Sequence, residues 1–335
     1  MYPLKFKPNF KTFVWGGEKI APYKGVETDM HHIGESWEIS SVAGRESVVA
    51  NGPLAGRTLP DVVREYKERL LGRKVYETTG EEFPLLVKFI DALNDLSIQV
   101  HPDDALAAAR HDGSKGKTEM WYIMKADEGA GLYSGLKEEI SPEDYVTLVD
   151  ENRITEVLSH YEVREGDVFF LPAGRIHALG KGTFVAEIQQ TSDITYRIYD
   201  YGRLGLDGKP RELHTELAKD AIDYSVRDDY QTHYEVVKDA ETPLVDCKYF
   251  TTSIFELSGE KEVSVDTASM DSFYIVICLE GHGEIFDGER DDDCSPTKGH
   301  VIPVRQGETV LIPATSVSLR FRPEGKMKLM TSHIR

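Results

Sequence analysis

Four side chains that can bind a metal lie at positions in the sequence that would bring them together in a β structure. Gln99 and His101 are two positions apart at the end of an apolar stretch, so they share one face of a strand predicted over Leu96–His101. Glu119 and His177 follow at the edges of later predicted strands. Two imidazoles, a carboxylate and an amide oxygen suit zinc, and iron, cobalt, nickel or manganese also accept such a set. The sequence therefore predicts a metal-dependent enzyme.

Short strands must position these ligands. Residues 118–124 form a predicted strand that carries Glu119, and residues 167–171 form another that ends shortly before His177. Further runs of four to eight residues, bounded by Gly, Pro, Asp or Asn, have the composition of strands. They are Ser36–Ser40, Leu85–Ile90, Thr183–Gln190, Phe250–Leu257 and Thr309–Ile312. Many short strands at close spacing predict a mainly β chain of barrels or sandwiches with small helical insertions.

Four segments have helical patterns instead. They are Leu59–Arg73, Pro102–His111, Ser141–His160 and His214–Asp223. The third has the clearest start, because Ser141 can cap a helix whose first position is Pro142. We therefore expect helical insertions at about residues 59–79 and 137–160.

An internal repeat divides the chain. The segment Gly166–Pro172 has Gly, five residues and then Pro, and Gly307–Pro313 repeats that spacing around a similar apolar run. We therefore predict two related barrels, an N-terminal one over residues 1–223 and a degenerate C-terminal one over residues 238–335. The position that corresponds to His177 in the second copy is Ser318, so the second barrel is predicted to hold no metal.

Charge and hydropathy exclude several classes of partner. The formal net charge of -19 opposes binding to nucleic acid or to an anionic membrane surface. No apolar run reaches the ~18 residues of a membrane span, and Met1–Phe10 lacks the apolar core of a signal peptide. We therefore expect a cytoplasmic protein without membrane or nucleic-acid partners; the sequence leaves its oligomeric state open.

The segment from Gly166 to His177 matches the second cupin motif, G-x5-P-x-G-x2-H, at each fixed position up to the histidine. The first cupin motif is altered here, because Gln99 and Glu119 replace its usual His and closely spaced Glu. Together with the runs Phe83–Asp91, Gln99–Asp103, Gly116–Tyr122, Pro172–Ala178 and Thr191–Asp200, these motifs resemble type I mannose-6-phosphate isomerases of the cupin superfamily, in their short bacterial form.

That resemblance implies two cupin-like, jelly-roll barrels and a zinc enzyme that interconverts mannose 6-phosphate and fructose 6-phosphate. Its implied ligands are Gln99, His101, Glu119 and His177, with one zinc ion per chain and a hexose 6-phosphate as the substrate. Other divalent metals also fit this ligand set.

Moving a proton between two sugar carbons needs a base and stabilisation of the substrate oxygens. The resemblance assigns a catalytic role to Arg197 and suggests active-site roles for Lys117 and Asp193. Lys117 shares a strand face with Glu119, and Asp193 would share a face with Arg197 if that segment were extended. Glu187 points to the same face as Gln189 on its predicted strand and is a further candidate for proton transfer.

Two other functions are compatible with parts of this pattern. An iron-dependent cupin oxygenase would use two histidines and one carboxylate with open positions, but the extra Gln99 and the basic pair Lys117 and Arg197 count against it. A sugar-phosphate-binding protein without turnover would not need the complete ligand set. We therefore favour the isomerase.

Overall fold

The computed structural model describes residues 1–205, 208–259, 261–289 and 299–335. The helices are α1 (Ile20–Lys24), α2 (Leu59–Tyr66), α3 (Glu68–Leu71), α4 (Arg73–Thr79), α5 (Asp104–Arg110), α6 (Pro142–Asp150) and α7 (Thr215–Ala221), with one 3-10 helix at Ile154–Val157. Within the described ranges, no helix is long and apolar enough to cross a membrane.

Strands make up most of the regular structure. In the first part of the chain they are β1 (Leu4–Lys5), β2 (Phe10–Gly17), β3 (Ile33–Ile39), β4 (Leu85–Asp91), β5 (Ile98–Val100), β6 (Glu119–Ala126), β7 (Gly131–Leu136), β8 (Leu158–Glu162), β9 (Val168–Leu171), β10 (His177–Leu179), β11 (Thr183–Gln190), β12 (Tyr196–Tyr199) and β13 (Gln231–Thr232). In the second part they are β14 (Glu241–Asp246), β15 (Thr251–Leu257), β16 (Val263–Asp266), β17 (Tyr274–Glu280), β18 (His282–Glu289), β19 (His300–Arg305), β20 (Thr309–Ile312), β21 (Ser316–Pro323) and β22 (Met327–His333).

These strands form four antiparallel sheets in two pairs. Sheet I has the order β13-β9-β6-β11-β4-β3-β2 and faces sheet II, β12-β5-β10-β7-β8. Sheet III has the order β1-β20-β17-β22-β15-β14 and faces sheet IV, β16-β21-β18-β19. The mainly β architecture with small helical insertions is the one that the sequence predicts.

The period of two along each strand builds successive core layers. On β11, Phe184 and Ile188 face outward into a core that sheet I shares with sheet III, whereas Val185 faces the interior between sheets I and II. Successive side chains of sheet III also point to two different cores: Ile254 enters the core shared with sheet I, and Phe255 enters the core between sheets III and IV. A fourth cluster covers the outer face of sheet II with α6 and α7.

The internal repeat has a counterpart in the sheets. β6 and β9 are antiparallel neighbours in sheet I, and β17 and β20 are antiparallel neighbours in sheet III. Pairings between strands cross the predicted division of the chain: β1 joins β20 of sheet III, and β13, from the segment between the two predicted barrels, joins β9 of sheet I. The boundaries at residues 223 and 238 stay a prediction.

Two helical predictions are only partly correct. The segment 59–73 is broken after α2 at Lys67 (φ 46°) and after α3 at Gly72 (φ 89°). The prediction of a helix over 141–160 is wrong from Leu158 onward, because residues 158–162 form β8 and pair with β7, and between Asp150 and Leu158 the helical structure is limited to the 3-10 helix Ile154–Val157. Strand pairing in the folded chain overrides the local helical pattern there.

Candidate metal centre and active site

Three strands deliver the predicted ligands to one end of the space between sheets I and II. Gln99 is the middle residue of β5, and His101 directly follows that strand. Glu119 is the first residue of β6, and His177 is the first residue of β10. His177 lies directly opposite Gln99 in the sheet register, so their side chains leave the sheet on the same face.

The side chains converge at this point. His101 Nε2 lies 3.5 Å from Glu119 Oε2, and His177 Nε2 lies 3.2 Å from Glu119 Oε1. One ligand atom from each of these three residues lies within 4.8 Å of the others, and all three residues are buried. Gln99 completes the group at its edge, with Nε2 3.3 Å from His177 Nε2. A half-turn of the amide would present its oxygen instead, which is the atom that a metal requires.

Backbone contacts orient both imidazoles. The Nδ1 atom of His101 lies 2.8 Å from the carbonyl oxygen of Ile194, and that of His177 lies 2.8 Å from the carbonyl oxygen of Arg175. An imidazole that donates from Nδ1 to a carbonyl carries its lone pair on Nε2. Both Nε2 lone pairs are therefore free to bind a metal beside Glu119.

The local electrostatics also fit a divalent cation. His101 Nε2 is buried without a hydrogen-bond partner among the described residues, and the buried Glu119 carboxylate has the Lys117 ammonium 3.0 Å from its Oε2. Burial, assisted by the charge of Lys117, lowers the pKa of His101 well below its ordinary value. Burial opposes ionisation of Glu119, but the charge of Lys117 holds its pKa well below the usual range. A neutral imidazole and an ionised carboxylate are the forms that coordinate metals.

A row of buried charges extends from this centre across sheet I. Lys117 Nζ lies 3.0 Å from Glu119 Oε2 and 3.8 Å from Glu187 Oε1, and Lys88 Nζ lies 3.5 Å from Glu187 Oε2. Lys88, Lys117 and Glu187 are each at most 5% exposed. Burial raises the pKa of Glu187 to about 7, with the charge of Lys88 opposing the rise and that of Glu119 adding to it.

Arg197 lies on the sheet II side of the same space. It is directly opposite Gln99 in the register of β12 and β5, which places Arg197, Gln99 and His177 in one row across three strands. Its Nη1 donates to the carbonyl oxygen of Glu212 over 2.9 Å, whereas its Nε is buried without a hydrogen-bond partner in the described parts of the chain. Burial, together with the charge of Arg211, lowers its pKa.

Asp193 has different surroundings from the other candidates. Residues 191–195 form no strand, so the extended segment that would align Asp193 with Arg197 is absent. The Asp193 side chain is 53% exposed and lies 3.8 Å from Arg45 Nη1. It nevertheless precedes Ile194, whose carbonyl oxygen orients His101. Its catalytic role stays a prediction.

Lys88 is the residue that sequence reasoning passed over. It is the one Lys in β4, a strand whose seven residues are all buried. A charged side chain within an apolar strand was the available signal, because a buried ammonium requires a partner. That partner is Glu187, its direct neighbour in the register of β4 and β11.

Comparison with known proteins supports this chemistry. Residues 3–127 match the model of the phosphomannose isomerase type I catalytic domain. The mannose-6-phosphate isomerase ManA of Bacillus subtilis is 35% identical over 334 residues, which cover 99% of each chain. The chain belongs to the type I phosphomannose isomerase family. A mannose-6-phosphate isomerase of Streptococcus mutans is 33% identical over 332 residues, covering 99% of this chain and 98% of the relative.

Solved structures of phosphomannose isomerases share the whole fold. The crystal structure of mannose 6-phosphate isomerase from Bacillus subtilis superposes with a TM-score of 0.86 at 33% identity and covers 100% of both chains. A variant of the Salmonella typhimurium enzyme, only 16% identical, has a TM-score of 0.76 over 100% of both chains. This likeness confirms the predicted fold class of two cupin-like barrels with small helical insertions.

Proposed function

We propose that this protein is a zinc-dependent isomerase that interconverts mannose 6-phosphate and fructose 6-phosphate. The observation that carries the proposal is the buried group of His101, Glu119 and His177, whose ligand atoms lie within 4.8 Å of one another in a chain of the phosphomannose isomerase family. Gln99 is the fourth proposed ligand. Two nitrogen ligands with oxygen ligands suit zinc, and its loading in place of another divalent metal is part of the proposal.

The reaction transfers a proton between C2 and C1 of the open-chain sugar while the carbonyl group moves in the opposite direction. The metal, when bound, would supply a Lewis acid that polarises the oxygens at these two carbons. The protein must then supply a base beside the two carbons, a fixed positive charge and protection from water.

Glu187 is the carboxylate best placed to move the proton. It is 2% exposed, and its Oε2 has no hydrogen-bond partner among the described residues. In the proposed step, Glu187 accepts the proton from C2 and returns it to C1, while the hydroxyl proton on O2 passes to O1. Lys88 and Lys117 flank its two oxygens and keep the carboxylate in place.

Lys117 and Arg197 supply the positive charge on opposite sides of the space between sheets I and II. Lys117 reaches it from sheet I beside Glu119, and Arg197 reaches it from sheet II beside Gln99. Negative charge that develops on the substrate oxygens would be stabilised between them. A hexose 6-phosphate is the proposed substrate, and a cytoplasmic location stays a prediction.

The test is turnover of mannose 6-phosphate by the purified protein as isolated, after chelation and after zinc is restored. We expect activity that chelation abolishes and zinc recovers. A Glu119→Ala variant should lose both bound zinc and turnover. Folded protein that holds zinc and still produces no fructose 6-phosphate would overturn the proposal.

A further inference from the structure

Trp37 lies on β3 of sheet I, beyond β4 as seen from the metal centre, and three cationic side chains surround its indole. Lys88 Nζ, Arg45 Cζ and Lys11 Nζ lie 5.1, 5.2 and 5.5 Å from the ring centroid. The indole nitrogen donates to Glu35 Oε2 over 2.6 Å, which fixes the ring. Energetically significant cation–aromatic contacts occur about once per 70–80 residues, so three on one ring are an unusual concentration of positive charge.

The register connects this ring to the proposed catalytic carboxylate. Trp37 is opposite Lys88 on the neighbouring strand, and Lys88 is opposite Glu187 on the next. Because neighbouring strands are about 5 Å apart, Trp37 and Glu187 are separated by about 10 Å across the inner face of sheet I. That span is comparable with an extended six-carbon sugar whose reacting end lies at Glu187.

The three cations have different partners. Lys88 is neutralised by Glu187, as described above. Lys11 forms no ion pair within the ranges that the structure describes, and Arg45 reaches only the exposed carboxylate of Asp193, at 3.8 Å. Burial and the nearby charge of Arg45 both lower the pKa of Lys11, and Glu35 opposes them only in part. Two cations that repel one another in this way would gain from an anion placed between them.

We propose that Lys11 and Arg45, held over Trp37, form the subsite that binds the phosphate group of the substrate. The inference rests on the proposed function for the identity of the substrate, and it adds the residues that select a phosphorylated sugar. The substrate lies along the row from Glu187 through Lys88 to Trp37, with its reacting carbons at the metal centre. Its phosphate displaces Asp193 from Arg45.

The test compares a Lys11→Gln/Arg45→Gln double variant with Lys7→Gln, which removes a charge from an exposed lysine of the same segment. Since a hydrogen bond to a charged group contributes about 1.5–3 kcal/mol, each lost contact should weaken binding at least about tenfold. We expect the double variant to raise the KM for mannose 6-phosphate and the inhibition constant of inorganic phosphate by about 100-fold. Its kcat and zinc content should stay close to those of the unmodified protein.

Binding of fructose 6-phosphate, measured by calorimetry on the zinc-loaded protein, separates the two proposals. Wild-type protein that binds fructose 6-phosphate without turning it over would refute the isomerase. The subsite would still stand if the double variant weakened that binding and Lys7→Gln did not. A double variant that binds fructose 6-phosphate and inorganic phosphate as tightly as Lys7→Gln would overturn the subsite, whatever the turnover.

Discussion

At the scale of single residues, two carboxylates compete for the role of the base. Glu187 is enclosed between two buried ammonium groups, whereas Asp193 is exposed on a loop beside Arg45. A base must lie within hydrogen-bond reach of the proton that it removes and be shielded from bulk water. Of these two carboxylates, Glu187 is the buried one beside the metal centre, and among the described residues its Oε2 accepts no hydrogen bond.

We therefore expect Glu187→Gln to lower kcat by about 10²–10⁴-fold, because the amide keeps the shape of the side chain but cannot accept the proton. Zinc content should be unchanged. Asp193→Asn, which makes the same chemical change, should lower kcat by less than about tenfold, the equivalent of one ordinary hydrogen bond. Steady-state kinetics with metal analysis of both variants checks the prediction, and the reverse order of effects would assign the proton transfer to Asp193.

At the scale of elements, the helices α2 to α4 attach the first sheet pair to the second. The backbone nitrogens of Phe273 and Ala314 donate to the carbonyl oxygens of Leu71 and Leu70, at the end of α3. Gly72, which follows α3, has φ 89°, and a Cβ atom there would lie 1.9 Å from the carbonyl oxygen of Asp271. This glycine permits the close approach that those hydrogen bonds need.

Gly72→Ala should therefore lower the free energy of unfolding more than Gly80→Ala. Gly80 follows α4 with φ 62° and ψ -131°, but nothing lies within 4 Å of a Cβ atom built there. Backbone strain at a glycine-only conformation costs about 1–3 kcal/mol, and this cost applies to both variants. The clash with Asp271 adds to it only at Gly72. Thermal unfolding of the two variants measures the difference, and equal losses would show that the contact with Asp271 adjusts freely.

At the scale of the whole molecule, a buried ion pair lies between the two sheet pairs. Lys24 Nζ lies 2.6 Å from Glu38 Oε2 and donates to the carbonyl oxygen of Gly307 over 2.5 Å. Both charged side chains are less than 10% exposed. Removing one partner of a buried pair leaves an uncompensated charge, whereas removing both removes the charge as well.

We expect Lys24→Met to lower the free energy of unfolding by about 3–5 kcal/mol. Adding Glu38→Gln to that variant should restore part of the lost stability, because the double variant no longer buries the Glu38 carboxylate without its cationic partner. Denaturant unfolding of both proteins tests this order. A double variant that is less stable than Lys24→Met by the full cost of a second lost interaction would mean that the two side chains act independently.

The core that sheets I and III share makes each sheet pair depend on the other for burial of its apolar face. Phe184, Ile188 and Tyr122 of sheet I are buried in the cluster that also holds Ile254 and Ile275 of sheet III. A fragment of residues 1–237 would expose that face of sheet I, so we expect it to be insoluble or inactive when it is expressed alone. Soluble yield and turnover of the fragment measure this. A soluble fragment with full activity would show that the second sheet pair is dispensable.

Local pattern alone determined much of this protein. Runs of strand-forming residues bounded by turn residues located β4, β11 and β20 to within a residue, because strand composition and turn residues are local properties of the sequence. The two-residue spacing of Gln99 and His101, together with the cupin motif, singled out Gln99, His101, Glu119 and His177, which the structure brings together although no two of them share a strand.

Only the tertiary structure decided the features that depend on pairing between distant segments. Residues 158–162 pair with β7 and form a strand where the local pattern indicates a helix. Lys88 became part of the site because β4 pairs with β11, and Asp193 lies on an exposed loop because residues 191–195 form no strand. Such contacts are chosen by the burial and hydrogen bonding of the whole chain, and a local window of sequence does not contain their partners.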